Sequence, residues 1–392
     1  MKIGIDCRTI LHPEKGECDG IGHYAYQLVR HLLKIDKKNT YVLFFDHSIG
    51  RNRIAKFKQK NVFIKFVPFI QYSNLMPDKY AHFLVSAALS REKLDILHSP
   101  IPWLPRPYTG KTIVTVHDLA VCKFFELYPK EKQDILFRKN LPDILKQAKK
   151  IIAVSKSTAK DLKEIFNISD KKIKVIFHGV DKRFFKKNTL SKIKQVKNKY
   201  KITKDYLFSL GNFESRKNII RLVFAYERLR RKIQTIKSKP LPEYQLVLAG
   251  SKKNPNFKKV KQAIASSEYK KDIILPGYVE ASDLNALFEG ASLFMFPSLY
   301  EGFGFPIIEA MAKGVPVITS NTSSMKEIAS QSAVIVDPYN VSEITTAAYN
   351  LLTNKKLYDN LKVKGKLLAQ EFKWDKCARE TLNFYQRAIN SN

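Results

Sequence analysis

The sequence predicts an α/β protein of two doubly wound parallel-sheet domains, and three observations carry that prediction. Short apolar runs alternate with stretches of helical periodicity along the chain, the pattern of parallel strands joined by crossover helices. At 392 residues the chain exceeds the size at which a single core usually divides, so two domains of roughly 180–200 residues are expected. The alternation restarts at Tyr206, after the polar, lysine-rich stretch Lys186–Lys204. That stretch reads as a linker with some helix. The boundary is drawn near residue 187, giving domains 1–186 and 187–371.

In the first half, Lys2–Asp6 reads as a strand and Cys7–Cys18 as an irregular loop. Tyr24, Leu28 and Leu32, with Ala25, Val29 and Leu33, then recur at helical spacing. Gly20 and Gly22 sit just before that helix, where bare backbone N–H groups can approach a phosphate; a plain turn is the competing reading. Tyr41–Phe45, Val62–Val67, Leu94–His98, Lys111–Val116, Ile151–Val154 and Ile173–Phe177 are further strand candidates. No G-x-G-x-x-G follows the first strand, which argues against a nicotinamide-dependent dehydrogenase. Pro68–Arg91 mixes aromatics, Met76 and basic residues, and suits either helix packing or an acceptor or membrane surface. His117 and Asp118 close the strand TIVTV at the end where such sheets bind ligands. For His117 a purely structural role is the competing reading, and Asp118 reads as a local orienter or helix cap. Ser155 is placed to cap the helix that follows Ala153–Ser157.

The second half restarts with Tyr206–Leu210. Gly211 frees the backbone, and Arg216 and Lys217 lie on the loop that opens the next helix. Adjacent cations at a helix start oppose the macrodipole, so an anion is their natural partner, two solvated cations of a basic protein being the competing reading. Arginine grips phosphate with two N–H groups and lysine supplies a point charge. Gln245–Gly250 is a strand with a glycine exit, and Ala333–Asp337 reads as a late one.

The most informative stretch is Glu301–Ser320, EGFGFPIIEAMAKGVPVITS. An apolar strand, Leu293–Pro297, runs into Gly302-Phe303-Gly304-Phe305, a helix starts at Pro306, and Gly314 ends it. A helix N-terminus at the carboxyl end of a parallel strand directs unpaired N–H groups at a crevice. Glu301 lies on the loop and Glu309 near the first turn of the helix. Carboxylates accept bidentately from vicinal sugar hydroxyls, so one acid suits a hexose and the other a ribose; a loop acid and a helix-capping acid without function is the competing reading.

Lys and Arg outnumber Asp and Glu by 69 to 36, a net charge of +33. That excess favours polyanions: phosphorylated ligands, an anionic membrane surface or nucleic acid. Lysine scattered on solvated faces is the alternative, and no nucleic-acid module appears. Cys7, Cys18, Cys122 and Cys377 show neither metal-ligand nor disulfide-framework spacing, which fits a reducing compartment. The opening MKIGID carries no signal-peptide core, and no window approaches the ~20 apolar residues of a membrane span. A cytoplasmic protein, peripheral at the inner face of a membrane, is expected.

Taken with R-K-N at 216–218, T-V-H-D-L at 115–119, G-I-G-H-Y at 20–24 and H-G-V-D at 178–181, the two-glutamate stretch closely resembles the retaining glycosyltransferases of family four. Two departures stand out: His23 replaces a common Arg, and His178 a common Asn. The resemblance covers essentially the whole chain. It implies the GT-B fold, two Rossmann-like domains facing across a cleft, with 372–392 a final helix crossing back to the first domain and Trp374 packing within it. It also implies transfer of a hexose from a nucleoside diphosphate sugar to a hydroxyl of a saccharide or lipid-linked acceptor, with retention and without a metal.

By the same resemblance Glu301 contacts the hexose and Glu309 the ribose, Arg216 and Lys217 hold the diphosphate, and His117 contacts the sugar or acceptor. Gly20, Gly22, Gly211, Gly302, Phe303, Gly304 and Phe305 line the donor, and Val279 lies beside the base. The motif strings lean towards mannosyltransferases using GDP-mannose ahead of UDP-sugars, in envelope polysaccharide or glycolipid synthesis. No cofactor is expected beyond the sugar nucleotide itself. Two other classes remain: a non-catalytic polyanion-binding protein on the same scaffold, and a sugar-nucleotide epimerase of the same fold.

Overall fold

The computed structural model describes residues 1–11, 20–69, 78–128, 140–235 and 242–390. Cys18 and Met76 therefore lie outside the described residues. Internal contacts divide the chain into two units: Met1–Gly179 with Lys373–Asn392, and Val180–Phe372.

The first unit is built on seven strands: β1 (Lys2–Asp6), β2 (Thr40–Asp46), β3 (Val62–Val67), β4 (Ile96–Ser99), β5 (Thr112–Val116), β6 (Lys150–Ala153) and β7 (Ile173–Val175). They form one parallel sheet in the order β3-β2-β1-β4-β5-β6-β7. The β1, β2, β4 and β5 interiors are wholly buried, as expected when helices cover both faces of a parallel sheet. Chain order reverses between β1 and β4, so ligand-binding loops are expected at the carboxyl ends of these strands. Gly20 and Gly22 do not precede the first helix, because Gly20–Ile35 is already helical. Both glycines occupy its first turn, where N–H groups lack intrahelical partners. Ser155 caps Lys156–Phe166 by accepting from the Thr158 N–H. The final helix, Trp374–Asn390, belongs to this unit: Asp375 accepts from Lys34 at 3.2 Å, and Trp374 lies against His23, Tyr24 and His31. Gly179 is required there, since a Cβ at that position would sit 2.2 Å from the Trp374 nitrogen.

The second unit carries β8 (Asp205–Leu210), β9 (Tyr244–Ala249), β10 (Ile273–Gly277), β11 (Leu293–Phe296), β12 (Val317–Ser320) and β13 (Val334–Val336). Their order, β10-β9-β8-β11-β12-β13, is again parallel throughout. Its switch point lies between β8 and β11, the strands leading into R-K-N and the two-glutamate stretch. Leu207, Leu246, Leu293 and Ile318 from four of these strands share one core with Leu222, Tyr226 and Ile344.

Two sequence expectations change here. Residues 180–186, placed in the first domain by the boundary near 187, belong to the second unit: Phe184 is buried against Phe288, and Asn285 donates to the Arg183 carbonyl. The lysine-rich stretch is not a free linker either. Leu190–Lys199 is a helix capped by Thr189, and the buried Asp283 carboxylate receives Lys192, Lys199 and the Tyr200 hydroxyl at 3.0, 2.6 and 3.1 Å. A distant counter-charge, invisible along the sequence, makes that polar segment part of the fold.

Candidate active site

At the exit of β8, Ser215–Lys217 forms a single 3-10 turn and Asn218 follows in the left-handed region, with φ 58°. Asn218 is buried, and its Nδ2 donates to the carbonyls of Pro297 and Pro338 at 2.9 and 2.7 Å. Asparagine tolerates that backbone, and its amide pins the cationic loop to the exit of β11. The Leu299 N–H adds a bond to the Arg216 carbonyl.

The loop places Arg216 and Lys217 on one carboxylate. Arg216 Nη1 donates to Glu301 Oε2 at 2.9 Å and to the Tyr300 carbonyl at 3.1 Å, while its Nε reaches Glu214 at 2.8 Å. Lys217 Nζ donates to Glu301 Oε1 at 2.6 Å and lies 5.0 Å from the Phe296 ring centroid. Glu301 is only 7% exposed. Burial pushes its carboxyl up, but Lys217 and then Arg216 outweigh burial and hold it below the usual range. For Lys217 burial is the larger influence and lowers the ammonium despite Glu301. The Lys217 stem lies across the strand exit, in van der Waals reach of the Cβ position of Gly211 at 3.4 Å.

The glycine turn is held from behind. Ser323 Oγ accepts the Glu301 N–H, and Ser324 Oγ donates to the carbonyls of Glu301 and Phe303. Gly304 has φ 96°, a region that favours glycine, and starts the helix Phe305–Ala312. Pro306 is thus the second helical residue, and Glu309 is the fifth, directly after the first turn. Burial pushes the Glu309 carboxyl up to about 7, opposed by Arg183 and reinforced by Asp181. Val279 is buried just beyond β10.

The remaining candidates lie in the first unit. His117 follows β5, and its Nε2 donates to the Pro100 carbonyl at 2.8 Å, which fixes the tautomer. Burial is the main influence keeping its imidazole neutral. The Asp118 carboxylate accepts the Ala120 N–H at 3.0 Å, a local bond just ahead of Ala120–Lys123, whose N-cap position is Leu119. Beneath His117 is a buried aromatic cluster. Tyr24 meets the His117 ring edge-on at 4.9 Å, His178 lies 5.7 Å from His117, and Trp374 stacks on His178. Gly20 and Gly22 share a helix with Tyr24. From there a buried chain of hydrogen bonds runs through Thr115 and His98 to Tyr385.

The structure therefore brings Arg216, Lys217 and Glu301 together, sets Gly211 beneath them, and places Gly302–Phe305 and Glu309 on the same strand-turn-helix. Asn218, Ser323, Ser324, Asp181 and Arg183 were given no site role from sequence. Of these, Asn218 and Asp181 had a local signal, lying within the strings R-K-N and H-G-V-D.

Comparison with known proteins follows the same division. Residues 18–184 match the Glycosyltransferase Family 4 model, and residues 191–367 match the Glycosyl transferases group 1 model. The chain is 27% identical to O-antigen chain mannosyltransferase B of Escherichia coli, over 98% of this chain and 100% of that protein. Sucrose-phosphate synthase from Thermosynechococcus elongatus superposes with a TM-score of 0.76 at 18% identity, covering all of both chains. Anabaena HepE, solved with UDP-glucose, superposes at 0.74 and 15% identity over 99% of this chain and 100% of that one. Among the described residues no helix is long and apolar enough to cross a membrane. With two parallel-sheet units of this architecture and a glycosyltransferase domain model matching each, the chain belongs with the glycosyltransferases of GT-B fold.

Proposed function

We propose that this glycosyltransferase moves a hexose, with mannose first in line, from a nucleoside diphosphate sugar to a hydroxyl of a saccharide or lipid-linked acceptor, with retention at the anomeric carbon. The observation that carries the reading is the convergence of Arg216 and Lys217 on buried Glu301 at the β8/β11 switch point, beside a helix N-terminus. When the anomeric carbon–oxygen bond breaks, its electron pair goes to the diphosphate. Arg216, Lys217 and the N–H groups at the start of Phe305–Ala312 stabilise that charge. As donor enters, the two cations exchange part of Glu301 for phosphate oxygens, and the freed carboxylate accepts from hexose hydroxyls. Glu309 holds the ribose diol, and His117 faces the sugar or acceptor. The acceptor oxygen forms the new bond on the face the diphosphate leaves, and its proton passes to the departing phosphate. No metal takes part in this scheme. The curated relative is a mannosyltransferase and HepE carries UDP-glucose, which supports a sugar-nucleotide donor. The +33 charge suits work at the cytoplasmic face of an anionic membrane.

A thermal-shift panel with GDP, UDP, ADP and dTDP, then with their sugar conjugates, tests the donor. A ligand at 100 times its Kd stabilises by about 2.7 kcal/mol. A shift with GDP and GDP-mannose is expected. Stabilisation by none of them removes the donor reading.

A further inference from the structure

Three neighbouring strands of the second unit leave the sheet through glycine: β8 at Gly211, β9 at Gly250 and β10 at Gly277. Backbone bonds stitch these exits together, Gly211 N–H to the Ala249 carbonyl at 2.9 Å and Gly250 N–H to the Gly277 carbonyl at 2.8 Å. The approach is too close for a side chain, since a Cβ on Gly250 would fall 1.8 Å from the Gly211 oxygen. Gly277 has φ +82°. The result is a floor of bare backbone. Strands in a sheet lie ~4.8 Å apart, so it runs about 10 Å from the β8 exit to the β10 exit.

Each end of the floor carries a lysine. At the β8 end the Lys217 stem lies across Gly211, and at the β10 end a Cβ on Gly277 would find Lys252 Cε at 3.6 Å and Nζ at 3.9 Å. Tyr278, the next residue, is 61% exposed. Lys217 has a buried carboxylate partner in Glu301, whereas Lys252 stands on an exposed loop. If the diphosphate lies at the Lys217 end, as in the reading above on which this inference rests, the floor of bare backbone leads from phosphate to base.

We propose that Lys252 reads the base of the nucleoside diphosphate, selecting one with a carbonyl where adenine and cytosine carry an amine. An ammonium group has three donors and no acceptor. It pairs with the ring-edge carbonyl of a guanine- or uracil-type base and opposes the amine of an adenine- or cytosine-type base. Bare backbone accommodates the ring, and the exposed Tyr278 supplies a stacking face indifferent to base identity.

Isothermal titration of the full chain with IDP and ADP, and with UDP and CDP, probes this contact, because the first pair differs only along the edge of purine positions 1 and 6 and the second only along that of pyrimidine positions 3 and 4. The unaltered protein is expected to bind the carbonyl member of at least one pair about tenfold or more tightly, the worth of a hydrogen bond to a charged group. Lys252→Met keeps the stem and removes the donor; it should bring that ratio close to one, whatever it does to affinity for the diphosphate common to both members. Lys217→Ala should weaken both members and leave the ratio alone. No preference in the unaltered protein, or a preference that survives Lys252→Met, overturns the role of Lys252 while leaving the donor site standing. Binding of no nucleotide at all overturns the donor reading, and this inference with it.

Discussion

Replacement of Lys217 by alanine separates a charge stabiliser of the reaction from a structural cation. The Lys217 side chain is 12% exposed, and its ammonium lies 2.6 Å from Glu301 Oε1. Removing it does not strand Glu301, because Arg216 Nη1 remains on the other oxygen at 2.9 Å and Asn218 still anchors the loop through two carbonyls. The stability cost is therefore that of one charge-assisted hydrogen bond, about 1.5–3 kcal/mol, and the variant should fold. Loss of one stabiliser of developing oxyanion charge costs far more in rate, typically ~10²–10³. Turnover of donor by Lys217→Ala should fall by that factor, with a cooperative thermal transition retained. The assay is release of nucleoside diphosphate from the sugar nucleotide that stabilises the unaltered protein, run beside a melt of the same preparation. A folded variant turning over within threefold of the parent would refute the assignment of the β8/β11 cluster to the leaving group.

Two further outcomes follow from titration. Glu309, with its carboxyl near 7, must be ionised to accept from both ribose hydroxyls, so nucleotide affinity should rise between pH 6 and pH 8. Glu309→Gln should bind more weakly at pH 8 and flatten that rise; equal affinity and an unchanged profile count against the ribose role. Burial holds His98 neutral, with its imidazole lowered to about 3, while an unfolded histidine takes a proton near 6.5. The unfolded state then binds more protons, so stability falls as pH drops below 6.5, by about 2 kcal/mol at pH 5 for this one group. Melts of His98→Gln should show a shallower loss of stability from pH 7 to pH 5, and a slope equal to that of the parent removes His98 from the acid response.

Strand periodicity, glycine exits and the motif strings are local properties, and they were readable because local chemistry produces them. Strand positions agree within about two residues, and Ser155 caps where a short polar side chain before a helical run must cap. Gly314 takes φ 72° after the last helical residue, as a glycine there commonly does. Boundaries were less legible. Gly20 and Gly22 look like loop residues because glycine is a poor helix former, yet Gly22 is buried within a helix whose following residues pack on Trp374, more than 300 positions away.

By itself, the sequence determined that two parallel α/β sheets would form and that R-K-N and the two-glutamate stretch would stand at strand exits. Each follows from interactions spanning a few residues. Only the tertiary structure decided that Arg216 and Lys217 would share Glu301, some 85 positions on, because β8 and β11 become neighbours only at the switch point of the sheet. It also decided that Lys186–Lys204 would be fold and not linker, since the carboxylate that anchors Lys192 and Lys199, Asp283, arrives from another helix. The aromatic bed beneath His117 is likewise a tertiary product. His178 and Trp374 are nearly 200 residues apart in sequence, and they meet where burial makes a stacked, uncharged imidazole the lower-energy state.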